Sequence, residues 1–530
     1  MPEKIVDCSP NVIGKERLIF NRFFQKVVEN KEVCTVKGKG FIVLDFGREY
    51  YGGARISFNR NSYTGNTPYL RVRFGESLEE CYAEIGEKNA GNDHSTRDLT
   101  VYMSSNSDME WGNTGYRFIR IDFLLDEEYR LNNIFGTFIH GDEPIATFRS
   151  DDQRLDDIFS TAARTLFLCK QGYIWDGIKR DQLVWMGDMF PEVLGMLYLY
   201  GDCDDIRNSL DFITDSYAMP CWYNQIPSYN IWYMLTVNEY VKQTGNFVEK
   251  YAAAVKENLK LFLSCVKGEQ LDILSAGLSL WTDEFFDWPS FKSKDAGFAV
   301  RALLVYTVRK IISAKLFDDE TLSLAEEISS RLKDIGDSCK NFKSIEALKI
   351  LIGKDGSGES LKYVLSGGAE GYSTFLSYFI SKALCENGYG KEAFLNNLEY
   401  YGGMLDMGAT TFWESFDLKK SRGAARIDEF ANGRKSVHGD FGEECYEGFR
   451  HSLCHGWSCG VIPYIVEEII GFYHPDGDVN KVAFRPRLWG LKFAECKIPV
   501  KGGVISVRHE DVGGVIKTEI SLPDGMEYIK

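Results

Sequence analysis

The sequence predicts a multidomain chain of α and β structure. An antiparallel β-sandwich comes first, then a long central helical domain closed as an α/α barrel, then a small C-terminal β-domain. Three observations carry this expectation. Alternating segments rich in β-branched and aromatic residues fill roughly the first 145 positions. Helical periodicity dominates from about residue 150 to residue 470, and strand-like alternation returns after Tyr473. At 530 residues the chain also exceeds what one hydrophobic core supports, so several domains are expected.

In the first part, strands are predicted at residues 40–46 (GFIVLDF), 54–58 (ARISF) and 69–74 (YLRVRF), and further ones at 99–103, 116–123 (YRFIRIDF) and 133–140. Turn formers separate them at Gly52-Gly53, residues 61–68 and residues 111–115. Short strands at this spacing suggest a sandwich. Near Ser150 the character changes. Ser150 to Asp152 can cap a helix, and Leu155, Ile158, Phe159, Ala162 and Ala163 then recur at helical spacing. Amphipathic stretches follow at 189–199, 206–213, 231–242, 248–266, 296–315, 319–335, 372–386, 391–405, 443–453 and 461–470. Antiparallel helix pairs over about 320 residues imply either a solenoid or a closed barrel, and the lack of a fixed repeat period favours the closed form. After the turn at His474-Pro475-Asp476-Gly477, alternation at 482–485, 491–498, 503–510 and 514–520 predicts the terminal β-domain.

Composition excludes some functions. A net charge of −16, from 61 Lys and Arg against 77 Asp and Glu, with no basic stripe, argues against a nucleic-acid partner. No run is long enough to span a bilayer, so no membrane partner is expected. Thirteen scattered cysteines without a C-x-x-C pair suit free thiols in a reducing compartment, and residues 1–20 lack a secretory apolar core; the expectation is a cytoplasmic location. Aromatic residues make up 14% of the chain, including 10 Trp and 28 Tyr. Most serve cores, yet their flat faces also stack on sugar rings.

Three acidic clusters could carry chemistry. Residues 176–188 (DGIKRDQLVWMGD) gather Asp176, Arg180, Asp181, Trp185 and Asp188 before a helix, the pattern of a loop entering a helix at a pocket mouth. A solvated turn with Asp188 as an N-cap would read the same way. Residues 408–417 (GATTFWESFD) set Glu414 directly after Trp413 among apolar and hydroxylic neighbours, an environment that tunes a catalytic acid or base. A surface Glu beside a core Trp is the plainer alternative. Residues 281–288 (WTDEFFDW) bracket Asp283, Glu284 and Asp287 between Trp281 and Trp288, which suits sugar binding or an acidic helix start. His451 and His455 stand four apart, as on one helix face, but without the Glu of a zinc-protease helix; no metal is expected. No dinucleotide loop, Walker loop or nucleophile elbow is present, and no cofactor is expected. Residues 353–358 read as a turn.

Taken in this order, the clusters resemble the α-L-rhamnosidases of glycoside hydrolase family 78, six-hairpin glycosidases. The family pattern is an Asp, then Arg and an acid four and five residues on, then Trp and Gly-Asp; here it reads Asp176, Arg180, Asp181, Trp185 and Gly187-Asp188. A T-T-x-W-E segment follows at Thr410 to Glu414, with LDFG at Leu44 to Gly47 and SLCHG at Ser452 to Gly456. The resemblance implies an (α/α)6 barrel at 149–472 between a β-sandwich at 1–148 and a β-domain at 473–530. It implies Asp181 as general acid and Glu414 as general base of an inverting single displacement on a terminal rhamnoside. Asp176, Arg180, Trp185, Asp188 and His455 would bind the sugar, and Trp232 or Trp281, with Trp288, would line the pocket. The partner implied is an oligosaccharide or glycoconjugate. One departure stands out: the acid position, usually Glu, is here Asp181, one methylene shorter. Two other functions fit the same scaffold, an unsaturated uronyl hydrolase, which would need Arg or Lys facing an acidic sugar, and a non-catalytic carbohydrate-binding protein. The sequence leaves the oligomeric state open.

Overall fold

The computed structural model describes residues 1–20, 33–59, 69–442 and 446–530. The turn expected at 61–68 and the first residues of the helix expected at 443–453 lie outside them.

The chain is multidomain, built of helices and antiparallel sheets. Its N-terminal part is one eight-stranded antiparallel sheet. Gly40–Asn59 and Ser107–Phe123 are its two long central strands, paired along most of their length. Lys4–Cys8 and Glu128–Phe138 also pair with the first of them, and Tyr69–Gly75 with the second. The apolar sides of both halves meet in a single core containing Ile42, Leu44, Ile56, Phe58, Val72, Ile121 and Leu131. The expected breaks at Gly52-Gly53 and 111–115 are therefore not turns. Each lies inside a long strand, at a bulge where the two strands cross closely. A Cβ on Gly53 would sit 2.0 Å from the Trp111 carbonyl oxygen, and one on Gly112 (φ +149°) 2.3 Å from the Gly53 Cα. Glycine serves close approach here rather than chain reversal.

The helical body runs through α1 (Gln153–Cys169), α2 (Met189–Tyr200), α3 (Asp204–Ser216), α4 (Pro227–Thr244), α5 (Glu249–Cys265), α6 (Ala296–Ala314), α7 (Asp319–Arg331), α8 (Lys343–Leu351), α9 (Glu359–Leu365), α10 (Ser377–Glu386), α11 (Gly390–Asp406) and the single turn α12 (Val461–Tyr464). Asp152 caps α1 by accepting from the Arg154 and Leu155 amides, as its position before the apolar stripe predicts. The even-numbered helices touch in a cycle: α2 packs on α4, α4 on α6, α6 on α8, α8 on α10, α10 on α12, and α12 returns to α2. Their sequences fit that inner position. All twelve residues of α2 are buried, whereas α3 buries only one stripe, Ile206, Leu210 and Ile213 among it.

Two expected helices differ. Residues 446–453 form no α-helix; only Gly448–Arg450 makes a short 3-10 turn. Gly448 is held at φ +55°, where a side chain would strike the Lys88 carbonyl at 2.2 Å. The helix expected at 461–470 forms without a break but is not α throughout, because α12 passes into a π turn at Ile465–Ile469. At the far end a four-stranded sheet joins Phe493–Val500, Gly503–Val512 and Val515–Ser521 to Thr147–Ser150, so the strand leading into α1 is an edge of the C-terminal sheet. All twelve described cysteines are free thiols, and no described helix is long and apolar enough to cross a membrane.

Candidate active site

Three segments far apart in sequence are laced together by backbone hydrogen bonds. The His455 amide donates to the Phe412 carbonyl (2.9 Å), the Gly456 amide to Asp176 (2.7 Å), and the Glu414 amide to Ser452 (2.9 Å). Gly177 and His455 form an isolated antiparallel bridge. This lacing, rather than a shared helix, sets the side chains of residues 176–188, 411–414 and 452–456 against one another. His451 and His455 accordingly do not share a helix face: the His451 ring accepts the Ser415 amide at 2.9 Å.

At the centre lies Arg180. One of its guanidinium nitrogens donates to Asp181 Oδ2 (2.9 Å), the other to Glu414 Oε1 (2.6 Å), and Nε donates to the Arg450 carbonyl (2.9 Å). The planar fork keeps the nearest oxygens of the two carboxylates within roughly 8 Å of each other. Glu414 Oε2 accepts the Ser452 amide at 2.9 Å. Behind this bridge, His455 Nε2 stands 3.9 Å from Asp176, 3.8 Å from Asp188 and 3.9 Å from Glu414. Asp188 precedes α2 but makes no capping bond; its carboxyl turns into the cluster instead. Glycine permits this crowding at Gly187, where a Cβ would lie 2.3 Å from the Tyr229 ring.

Burial sets the charge states. Asp176 and Asp188 are held well above the usual carboxylate range by burial first, then by neighbouring acids, Asp181 for Asp176 and Asp176 and Glu414 for Asp188. Glu192, one turn into α2, is raised in the same way by burial and by Asp188. His455 is driven well below the imidazole range by burial and by the Arg180 charge. Burial thus biases Asp176, Asp188, Glu192 and His455 toward their uncharged forms, beside one guanidinium bridging two carboxyl groups.

Asp181 and Gln182 both adopt left-handed backbone, φ +57° and +55°. Non-glycine residues in that region are uncommon and hold it only where their surroundings enforce it. Here Gln182 does so by donating to the Ile178 and Asn113 carbonyls at 3.0 and 3.1 Å.

Solved structures share this architecture. The family 78 rhamnosidase of Bacillus sp. GL1 matches with a TM-score of 0.71 and 20% identity, over 95% of this chain and 56% of that one. The rhamnosidase from Klebsiella oxytoca with rhamnose bound gives 0.64 and 17%, over 81% and 88%. The Streptomyces avermitilis α-L-rhamnosidase complexed with L-rhamnose gives 0.67 and 14%, over 92% and 48%. The fold is that of the family 78 rhamnosidases. The chain spans just over half the length of the Bacillus enzyme. No protein-family model and no curated protein sequence matches it.

Within this rhamnosidase fold the tryptophans named from sequence are not equivalent. Trp185 is partly buried and meets Tyr229 edge-on at 6.4 Å. Trp232 does not line a pocket: it is 1% exposed, packed among Phe190, Phe286, Phe375 and Phe379 on the inner helix α4. Trp281 is half exposed and stacks on Phe291 at 5.0 Å. Trp288 lines a cavity of about 780 Å³ shared with Trp413, Ser415, Tyr446 and His451; the chain neighbours of Glu414 line it, but Glu414, Asp181, Asp176, Asp188 and His455 do not. Of the carboxylates between the two tryptophans, Asp287 is the buried one. It accepts from Ser373 (2.9 Å) and more weakly from Tyr446 (3.4 Å), and burial raises it to about 6.

Two further groups meet the site with no signal in the sequence. His94, in an irregular loop of the N-terminal part, meets Asp181 Oδ1 through Nδ1. Buried Glu76 accepts the Leu453 amide at 2.6 Å and the Ser452 hydroxyl at 3.3 Å, directly behind the amide that serves Glu414. Burial lifts Glu76 to about 7 against the opposing pull of Lys179. Neither lies in a motif or a periodic element, and only the fold brings them to the site.

Proposed function

We propose that this chain is an inverting exo-glycosidase that releases L-rhamnose from the end of an oligosaccharide or glycoconjugate. In this reading the closed cycle of inner helices is the (α/α)6 barrel of residues 149–472, flanked by a β-sandwich at 1–148 and a β-domain at 473–530. The observation that carries the proposal is Arg180 bridging Asp181 and Glu414 beside Asp176, Asp188 and His455. A pair of carboxyl groups held on one side of a hydrogen-bonding floor is what glycoside hydrolysis requires.

Glu414, an acceptor fixed by Arg180 and the Ser452 amide, takes a proton from water as that water attacks the anomeric carbon. Asp181 gives its proton to the departing glycosidic oxygen as the carbon–oxygen bond breaks. Inversion needs room for the water, roughly 6.5–9.5 Å between the two carboxyls, and the bridging guanidinium acts as a spacer between them. Asp176, Asp188 and His455, which burial biases toward their uncharged forms, hydrogen-bond the sugar hydroxyls at a lower desolvation cost than charged groups would. Trp185 offers an apolar face, and Trp281 and Trp288 extend the aromatic surface toward the cavity lined by Trp413 and Ser415. A uronide is a poorer fit, because Arg180 is committed to two carboxylates and neighbouring Lys179 to Glu76 and Glu80.

The test is a screen of aryl α-L-rhamnosides beside other aryl glycosides and unsaturated uronides, with NMR of the first-formed sugar. Turnover of the rhamnoside with β-L-rhamnose appearing first is expected. Retention of configuration would overturn the single displacement, and turnover of uronides alone would replace the substrate.

A further inference from the structure

The segment between the short helix Leu78–Tyr82 and the strand Asp98–Tyr102 leaves the N-terminal sheet and lies across the segments that build the candidate site. Lys88 pairs with Asp440 (2.8 Å), Asn89 donates to Glu447 (3.2 Å), Ala90 packs with Phe449, and Asp93 pairs with Arg450 (2.8 Å). Its own shape is fixed by Asn92, which accepts from the Arg97 and Asp98 amides (3.1 Å each) and donates to the Asp98 carbonyl (2.9 Å). Held at both ends, this strap presents His94, itself in left-handed backbone at φ +60°, to Asp181. Its Nε2 stands 3.5 Å from Asp93.

We propose that His94 is a positioning residue for Asp181, so that the N-terminal sheet supplies a working part of the active site and compensates for the shortened acid. The argument rests on the hydrolase reading above and on the chemistry of the two partners of Asp181. A general acid alternates between a protonated and an ionised carboxyl in every turnover. Arg180 holds Asp181 Oδ2 in place, but its positive charge favours the ionised form over the protonated one. Asp181 Oδ1 is buried without a hydrogen bond of its own and lies in ion-pair contact with His94 Nδ1. With its proton on Nδ1, His94 can donate to Oδ1 whether that oxygen belongs to the carboxylate or is the carbonyl oxygen of the neutral acid, so one tautomer serves both states. An Asp reaches one methylene less far than a Glu, and its carboxyl has little freedom to search for the glycosidic oxygen. Fixing both of its oxygens, one from the barrel and one from the strap, sets the plane from which the proton departs. His94 itself neither gains nor loses a proton in the step; the proton passes from Asp181 to the leaving oxygen.

Leaving-group dependence tests this. A departing alkoxide needs the acid's proton, whereas a dinitrophenolate departs without it. His94→Ala is expected to lower kcat/KM at least about tenfold on an alkyl rhamnoside, with less than about threefold loss on the dinitrophenyl rhamnoside. His94→Asn, whose amide can also donate at the Nδ1 position, is expected to restore most of the alkyl activity. Equal losses on both substrates, or Asn no better than Ala, would overturn the proposal. If the wild-type chain hydrolyses no glycoside, the hydrolase reading fails separately. The pairing is then read from the ¹⁵N shifts of the His94 ring: displaced shifts in Asp181→Asn support it, and unchanged shifts overturn it.

Discussion

Glu414 is fixed by partners from two directions, the Arg180 guanidinium and the Ser452 amide, and both serve its side-chain oxygens. Glu414→Gln keeps the volume of the side chain and an oxygen for the Ser452 amide, but it turns an NH2 toward Arg180 and cannot accept a proton. Turnover is therefore expected to fall by about 10²–10⁴, with some loss of stability because the buried pair with Arg180 is broken; a variant that keeps more than a tenth of wild-type turnover removes Glu414 from the role of base. Asp287 makes a different residue-scale prediction. Its folded-state value of about 6 exceeds the ordinary 3.8 because burial favours the neutral form. A carboxyl raised on folding stabilises the fold fully below its unfolded value, and that stabilisation is lost as pH rises toward 6. Asp287→Asn, neutral at every pH and still able to accept from Ser373, should flatten the fall in melting temperature between pH 4 and 6. At pH 7 it should melt a few degrees above wild type. A variant that melts below wild type at pH 7 with an unchanged pH profile would show that the ionised Asp287 is not a burden. At this scale motifs name residues that the structure brings together, as with Asp176, Asp181, Asp188 and Glu414, while the roles proposed for them rest on the experiments above. The sequence was silent for His94 and Glu76, whose neighbours carry no pattern, and it misled for Trp232, because a Trp on an inner helix serves core and pocket equally well on paper.

Elements were legible in proportion to how locally they are determined. Helices α1 to α7, α10 and α11 announce themselves by apolar stripes, and α1 also by its Asp152 cap. Helices α8 and α9 went unread, and residues 446–453 were misread, since the left-handed Gly448 answers to the approach of Lys88 from another part of the chain. The two long strands of the N-terminal sheet show the same limit. Gly52-Gly53 and Gly112 read as turns because glycine is usual in turns, whereas the fold needs them where two backbones cross. Gly53→Ala should therefore be severely destabilising, since its Cβ would lie 2.0 Å from a backbone oxygen that no rotamer change can move. Gly356→Ala, with nothing within 4 Å, is the matched control. Thermal unfolding and limited proteolysis of the two variants decide the matter, and a Gly53→Ala protein as stable as the control would refute the crossing.

At the scale of the whole molecule the N-terminal sheet and the helical body share one buried charge network, which nothing in the sequence order discloses. Lys179, from the first acidic motif, reaches back to Glu80 (2.8 Å) and Glu76 (3.3 Å) and donates to the carbonyls of Phe449 and His451. All three charged side chains are less than a tenth exposed. Taking such charges out of water is expensive, and the arrangement is stable only while each keeps its partner. Removing the ammonium alone strips Glu80 and Glu76 of their shared partner beneath the segment that supplies the Ser452 amide to Glu414, and takes away the charge that opposes the burial of Glu76. Lys179→Met is therefore expected to lower stability by about 3–5 kcal/mol and to lower turnover as well, because Glu76 orients the Ser452–Leu453 backbone. The triple variant Lys179→Met, Glu76→Gln, Glu80→Gln removes the charges together and should recover a substantial part of the stability. It should recover less of the turnover, since a glutamine amide anchors that backbone more weakly than a carboxylate. Urea unfolding of the single and triple variants, with turnover measured on the same preparations, separates the two effects. If Lys179→Met is no less stable than wild type, the network does not join the sheet to the body. If the triple variant matches the single variant in stability, the loss comes from packing of the lysine stem rather than from stranded charge.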